Sequence, residues 1–296
     1  MTEKHLCAKL ATTRWEAERA PVSEELATEN VQRGLLTRIL GQRIVYYTCI
    51  DSTNRAGKAL AQQGAAEGTL IIADEQTAGR GRLERPWLAP RGTSLLFSLV
   101  LRPHLEVRLA QGLTMIAGLA VQEAIRDVCG LPARLKWPND IMLHGRKAGG
   151  ILTEMSSTGH RLDYVVVGIG LNVNLSLHTL PPEFQATCIQ HELGRPVPRL
   201  PLLQHILAHL ERRYAALQRG RWPVQEWAAA LETLGQRVEL RTAGQPVRGL
   251  ALRVDEDGAL LVHLDSGEVR RVLVGDIVPQ HTAKRRAQED GLLRCS

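Results

Sequence analysis

Apolar positions along the chain recur with two different periods, and the switch between them outlines the elements. From residue 43 onwards short β-branched runs stand at "RIVYYTCI", "TLIIAD", "SLLFSLVL", "ARLKW", "GGILTEM" and "DYVVVGIGLNV", each long enough for one strand. Between some of them lie helical patterns, "TNRAGKALAQQG" and "LAQGLTMIAGLAVQEAIRDVCG". In the second, Leu109, Leu113, Ile116, Ala120, Ala124 and Val128 keep a three-to-four spacing that predicts a core-facing stripe. Two more helices are expected at "LLQHILAHLERRYAAL" and "PVQEWAAALETLG". Near the N-terminus "SEELATENVQRGLLTRIL" predicts a helix with Leu26, Leu35, Leu36, Ile39 and Leu40 on its apolar face.

Strands both follow one another and alternate with helices, which predicts an α+β mixed sheet with helices packed on it. After Gly235 the texture changes to "RVELRT", "PVRGLALRV", "ALLVHL" and "EVRRVLV", four short strands joined by "EDG" and "DSG" turns. They predict a small, separate, barrel-like β domain. The expected organisation is an N-terminal extension over residues 1–43, a main domain over 44–235, a β domain over 236–283 and a polar tail over 284–296.

Composition narrows the class of protein. With 296 residues, 44% of them hydrophobic, the chain is long enough for one sizeable core and a second small one. It has no apolar run of about 18 residues that would span a membrane, and its mixed-charge start is not that of a secretory signal. Cys7, Cys49, Cys129, Cys188 and Cys295 are odd in number, far apart and never in CxxC spacing, so a cytoplasmic location is expected rather than a disulfide framework. The net charge of +6 permits a polyanionic partner. The basic residues are nevertheless spread along the chain, so nucleic-acid binding is not expected as the main task.

The P-loop, the GxGxxG fingerprint, the GxSxG elbow and HExxH are all absent. His205 and His209 stand one helical turn apart, but no third metal ligand is visible in the sequence, and they read as the polar side of their helix. Four other stretches carry chemistry. "DSTN" (Asp51–Asn54) joins a strand to a helix, where Ser52, Thr53 and Asn54 either cap the helix or point into a cavity at its positive end. "QTAGRGRLERPW" sets Arg80, Arg82 and Arg85 beside Gly79 and Gly81, between Gln76 and Trp87. Glycine allows close backbone approach, and guanidinium forks suit phosphate or carboxylate. Such a loop is a poor scaffold; an enclosed anion would supply the countercharge its three arginines need. "LKWPNDIMLHGRKAGGILTEM" predicts a hairpin turning near Gly145 that brings Lys136, Asp140 and Lys147 towards one region. "VVVGIGLNVN" ends an apolar strand on two glycines followed by Asn172 and Asn174, leaving either room for a flat ligand or a bulge.

Taken together and in this order, the four stretches resemble biotin protein ligases over roughly residues 44–280. The resemblance rests on the GRGR loop with its downstream Trp and Pro, on "KWPNDI", "RKAGGIL.E" and "VGIGLNVN", and on "GALLV" and "GDI" near the C-terminus. It implies a catalytic domain related to class II aminoacyl-tRNA synthetases and a C-terminal SH3-like barrel. It also implies two-step chemistry. The biotin carboxylate attacks the α-phosphate of Mg-ATP to give biotinoyl-5′-AMP and pyrophosphate; a lysine of a biotin carboxyl carrier domain, that of acetyl-CoA carboxylase being the expected one, then displaces AMP.

On that resemblance Ser52, Thr53, Asn54, Gln76, Arg80, Gly81, Arg82 and Lys147 bind biotin, while Arg82, Arg85, Trp87, Lys136, Asn139 and Asn172 face ATP or the adenylate. Lys147, Arg82 and Asp140 are the catalytic set. Lys147 neutralises the two anions, Arg82 belongs to the closing loop, and Asp140 handles the proton of the incoming amine. No resident metal is expected, Mg²⁺ arriving with ATP. Many relatives carry an N-terminal winged helix–turn–helix; the stretch before residue 44 is shorter than that module, so a ligase without repressor function is expected. "PPEFQATCI", where some relatives cap adenine with tryptophan, has none. A homodimer through the edge of the central sheet is expected. A lipoate ligase and a biotin-sensing DNA-binding regulator remain the alternatives.

Overall fold

The computed structural model describes residues 24–179, 186–242 and 244–278. Residues 1–23, most of "PPEFQATCI", and the tail from 279 onwards, with Cys7 and Cys295, lie outside the described residues.

The central sheet has seven strands: β1 Ile44–Tyr47, β2 Leu70–Ala73, β3 Ser94–Leu101, β4 Arg134–Lys136, β5 Asp140–Leu143, β6 Arg146–Thr158 and β7 Arg161–Asn172. Their order across the sheet is β1-β2-β3-β7-β6-β5-β4. β1 and β2 are parallel and every other neighbouring pair is antiparallel, so the sheet is mixed as expected. The helices are α1 Thr28–Gln32, α2 Thr53–Gln62, α3 Gln111–Cys129, α4 Ile189–Leu193, α5 Arg199–Gln218 and α6 Val224–Ala230.

α3 and α5 pack on one face of the sheet, over Leu95, Phe97, Leu99, Val165, Val167 and Ile169. The other face is covered more thinly: Ala61 of α2 meets Ile71, Val100, Tyr164 and Val166. Gly57 lets α2 approach closely, since a Cβ there would lie 2.9 Å from Val166. Burial on α3 exceeds the predicted stripe. Leu113, Ile116, Ala120 and Ala124 are buried, but so are Met115, Ala117, Leu119 and Val121, because α3 is covered on several sides.

After Gly235 the chain forms an antiparallel sheet of β8 Arg237–Arg241, β9 Val247–Val254, β10 Leu260–Leu264, β11 Val269–Val272 and β12 Asp276–Ile277, in the order β11-β10-β9-β8-β12. The four expected strands are present. The fifth, β12, is two residues long and too short to show a period. Trp137, 1% exposed, ties the two sheets together: its indole nitrogen donates to Gly258 O at 3.0 Å.

The N-terminal expectation needs correction. "SEELATENVQRGLLTRIL" is not one helix but a 3-10 turn at Glu24–Leu26, the short α1, and turns from Gly34 onwards. Gly34 has φ 85°, which breaks the helix, and the carboxylate of Glu211 takes the amides of Arg38, Ile39 and Leu40 at 2.7–2.8 Å. Leu26, Leu40 and Val31 are buried, whereas Leu36 is 86% exposed. The segment is anchored by Glu25 on Arg199, itself 1% exposed and also paired with Asp74 at 3.0 Å.

His209 also departs from expectation. It is buried, not on a polar face, and its Nε2 lies 2.8 Å from Asp127 of α3.

Candidate active site

Three stretches that the sequence separates by many residues converge around one tryptophan. Trp87 closes the arginine loop, its amide donating to Gly79 O at 2.9 Å, and Gly81 N donates to Arg85 O at 2.8 Å. Gly79 is needed at that crossing, because a Cβ would sit 2.8 Å from Trp87 O and 3.1 Å from Gln76 Nε2. The Trp87 ring lies flat over bare backbone of β7, where a Cβ on Gly170 would be 2.8 Å from its Cε2. Gly150 of β6 flanks the same ring. Gly170 of "GIG" and Gly150 of "AGG" therefore leave room for a ring, the protein's own indole, whereas Gly168 admits Asn54 and Gly149 the backbone of Gly170.

Lys147 reaches this edge from β6. Its Nζ is 2.5 Å from Asp140 Oδ1 and 5.8 Å from the centre of the Trp87 ring, so the ammonium is held by a carboxylate and a π face together. The predicted hairpin is in fact two. β4 pairs with β5, placing Lys136 opposite Asp140, and β5 pairs with β6, placing Asp140 opposite Gly150. The turn between β5 and β6 has His144 and Gly145 both at positive φ, the geometry of a tight two-residue hairpin. Asn139 joins the first hairpin to β6 by donating to Ile151 O at 2.5 Å. Glu232, absent from the sequence reading, lies beside Lys136 and Asp140; burial pushes its carboxyl up, against the pull of Lys136 and Arg134.

The "DSTN" stretch caps its helix, and its other side chains bond within the protein. Ser52 is the N-cap of α2. Thr53 meets Gln76 Oε1 through its amide at 2.7 Å and its hydroxyl at 3.1 Å. Asn54 is spent inside the protein, donating to Leu152 O and to Glu154 Oε2, with its Oδ1 2.7 Å from the Ser98 hydroxyl. Ser98, fully buried, also contacts Thr53 Oγ1 at 2.8 Å. Ser98 belongs to no motif, so the sequence offered no signal for it; Glu154 is the last residue of "RKAGGIL.E", but nothing in that stretch announced its partners Asn54 and Lys58. Burial raises the Glu154 carboxyl, but hydrogen bonds from Asn54 and Lys58, with the charges of Lys58 and Arg80, outweigh it and hold it below the ordinary range.

The countercharge expected for the arginine loop is, in part, supplied by the protein. Arg80 pairs with Glu84 at 3.1 Å, made possible by Leu83 and Glu84 turning through positive φ. Arg82 bonds Asp276 Oδ1 and Gly275 O, both at 3.2 Å, and Arg85 stands 3.4 Å from Asp276 Oδ2. Asp276 belongs to β12, so a carboxylate of the second sheet holds two guanidiniums of the loop. The expectation that a ligand alone balances the three arginines is therefore corrected. Only the "GDI" triplet hinted at this residue.

Several polar atoms in this region remain unsatisfied. Among the described residues, Arg80 Nε, Trp87 Nε1, Ser94 Oγ and Asn172 Oδ1 are buried without a hydrogen-bond partner. Ser94 and Asn172 face each other across β3 and β7. The amide of Asn172 donates to Thr187 O, and Thr187 N donates to Lys147 O, which ties this pair to the lysine. Buried donors and acceptors are rarely left unpaired, so these groups, with Asp276 Oδ2 beside Arg82 and Arg85, have hydrogen bonds open to a polar ligand.

The chain is similar to known proteins over both of its sheets. The pattern of the Biotin/lipoate A/B protein ligase family matches residues 46–172, and that of the Biotin protein ligase C terminal domain matches residues 233–278. The bifunctional ligase/repressor BirA of Bacillus subtilis is 35% identical over 257 residues, 86% of this chain and 79% of its own length. The biotin--[acetyl-CoA-carboxylase] ligase of Paracoccus denitrificans is 36% identical over 73% of this chain and 92% of its own. Among solved structures, a biotin protein ligase from Aquifex aeolicus in complex with biotin and ATP superposes with a TM-score of 0.69 at 29% identity, covering 80% of this chain and 98% of that one. With both sheets matched and the arginine loop, the lysine hairpin and the glycine-floored strand all in place, this chain belongs to the biotin protein ligase family.

Proposed function

We infer that the chain is an ATP-dependent biotin protein ligase, which joins biotin to ATP as biotinoyl-5′-AMP and passes the biotinoyl group to a lysine of a biotin carboxyl carrier domain. The observation that carries this reading is Lys147, held 2.5 Å from Asp140 at the rim of the Trp87–Gly170 contact. Attack of one anion on another requires a positive charge at the meeting point. An ammonium whose partner is a single carboxylate can exchange that partner for a substrate anion.

Such an exchange has a second consequence. When Lys147 turns to the biotin carboxylate or the α-phosphate, Asp140 is left without its cation. A carboxylate freed beside the adenylate then accepts a proton from the acceptor lysine, whose amine must be neutral to attack. In this reading Arg82, Arg85, Trp87, Lys136, Asn139 and Asn172 serve the nucleotide, and Ser52, Thr53, Gln76, Arg80 and Gly81 the biotin. Asn54 supports that set from behind, since its amide is already committed. Mg²⁺ enters with ATP as part of that substrate. Enclosure by the arginine loop protects the mixed anhydride from water.

Biotin is favoured over lipoate by the second sheet, whose Asp276 reaches the loop and whose sequence matches the biotin ligase C-terminal domain. A cytoplasmic location, a homodimer through the sheet edge and the absence of a DNA-binding role complete the reading. The test is ATP–pyrophosphate exchange with biotin or lipoate, on wild type and Lys147→Ala. Biotin-dependent exchange falling by about 10²–10³ in the variant is expected, the usual loss when one charge-stabilising group is removed. Exchange with lipoate alone would move the chain to the sister activity, and no exchange with either acid would overturn the reading.

A further inference from the structure

The packing of α3 against α5 supplies the ligand that the sequence lacked. Asp127, His205 and His209 each present a ligand atom, and the three atoms lie within 4.8 Å of one another. His209 Nε2 is already 2.8 Å from Asp127 Oδ2. His205 stands one turn away on the same helix, its ring 6.3 Å from that of His209, and is exposed. We propose that Asp127, His205 and His209 form a binding site for a divalent transition metal of the zinc type, bridging α3 and α5.

Two observations beyond proximity support the assignment. First, the far nitrogen of His209 has a carboxylate behind it: Nδ1 is 3.1 Å from Glu123 Oε2. Metal-bound imidazoles characteristically donate their other N–H to such a carboxylate, which fixes the ring and raises its basicity. Second, each remaining oxygen of the acidic ligand is accounted for. Arg126 occupies Asp127 Oδ1 at 2.9 Å, leaving Oδ2 to coordinate. In a tetrahedral zinc site neighbouring ligand atoms stand roughly 3.3 Å apart. The Asp127–His209 contact must open slightly and His205 must close, both within reach of a side-chain rotation at an exposed histidine. The fourth position faces solvent and takes water.

Hydrogen bonding alone accounts for His209 and Asp127, but it gives His205 no role; the two readings diverge at Arg212. Arg212 Nη2 donates to His209 Nδ1 at 2.8 Å, which requires the ring proton on Nε2, where a metal would bind. Metal binding must therefore move the proton to Nδ1, transfer that nitrogen to Glu123 and displace Arg212, whose side chain is 62% exposed and free to leave. Arg213, also paired with Glu123, stays in place. Arg212 is thus a competitor of the metal, even though it stabilises the metal-free network.

The experiment is isothermal titration of the full chain with Zn²⁺, and of Co²⁺ followed by visible absorption, for wild type, His205→Ala, Glu123→Gln and Arg212→Ala. The expected result is one metal per chain with a tetrahedral Co²⁺ spectrum lacking thiolate bands. Affinity should fall at least tenfold in His205→Ala, fall by about 10–100-fold in Glu123→Gln, and rise in Arg212→Ala. Zn²⁺ should raise the melting temperature of wild type and not of His205→Ala. His205 is exposed, so that variant folds as wild type. Absent saturable binding, binding unchanged by His205→Ala, or weaker binding in Arg212→Ala would each overturn the proposal.

Discussion

Replacing Asp276 with asparagine removes the carboxylate that holds both Arg82 and Arg85 while preserving its volume. The Arg82 contact, at 3.2 Å with side chains 26% and 10% exposed, is a partly buried charge-assisted bond. Bonds of that kind contribute about 1.5–3 kcal/mol, reduced here by solvent to about 1–2. The Arg85 contact, at 3.4 Å with the arginine 52% exposed, adds about 0.5 kcal/mol at most. Arg82 retains its bond to Gly275 O. Together the loop loses about 1–2.5 kcal/mol of attachment to the second sheet, a factor of roughly five to seventy in its opening equilibrium. If the loop is the lid of the adenylate, Asp276→Asn should release biotinoyl-5′-AMP faster by that factor while forming it at nearly the wild-type rate. The assay charges the enzyme with biotin, ATP and pyrophosphatase. It then follows escaped adenylate through biotin label on lysines of a bystander protein, with pyrophosphate exchange measured in parallel. Escape within twofold of wild type, in a variant with unchanged melting temperature, would refute the idea that this carboxylate holds the lid.

Gly168→Ala places a methyl group 1.9 Å from Asn54 Oδ1, so Asn54 must leave Ser98, Leu152 and Glu154. The expected cost is about 2–4 kcal/mol with a raised KM for biotin, read from urea midpoints at constant m and from steady-state kinetics. Glu211→Ala frees the three amides of residues 38–40. Their hydrogen exchange should quicken about thirtyfold, the equivalent of about 2 kcal/mol of local stability, with little change in global unfolding. Burial and the hydrogen bond to Asp74 push Tyr46 up to about 12 from 10.0. Between those pH values the unfolded chain has lost a phenolic proton that the folded chain keeps, so the contribution is complete below pH 10 and declines as pH rises towards 12. Tyr46→Phe should flatten that alkaline decline, as measured by denaturant unfolding across the range.

Much of the molecule was legible in the order of its residues, because local periods and motifs are one-dimensional. The strand runs from "TLIIAD" to "GIGLNV", the long α3, the change of texture after Gly235 and the arginine loop all follow from neighbours within a few positions. Lys147 and Asp140 were predicted to meet because one tight hairpin near Gly145 leaves a short chain little other course; that a second hairpin also sets Lys136 opposite Asp140 was seen only in the fold. Where the sequence misled, a partner distant along the chain intervened. The leucines of "GLLTRIL" have a helical spacing, yet Glu211, about 170 residues later, captures the backbone amides there, and Gly34 turns the chain away.

Countercharge and support belong to the tertiary structure. Nothing near Arg82 in sequence announces Asp276, 194 positions on, nor does anything near Asn54 announce Ser98. The glycines of "GIG" signalled room for a flat group or a bulge, but only the folded chain revealed that Trp87 lies against Gly170 and Asn54 against Gly168. His205 and His209 form a pair along one helix, and Asp127 joins them only because α3 packs against α5. Residue type and spacing determine which element forms and which chemistry its side chains can perform. Which charges meet, and which remain free for a ligand, depends on distances between elements that no local pattern encodes, since electrostatic and packing energies act through space rather than along the chain.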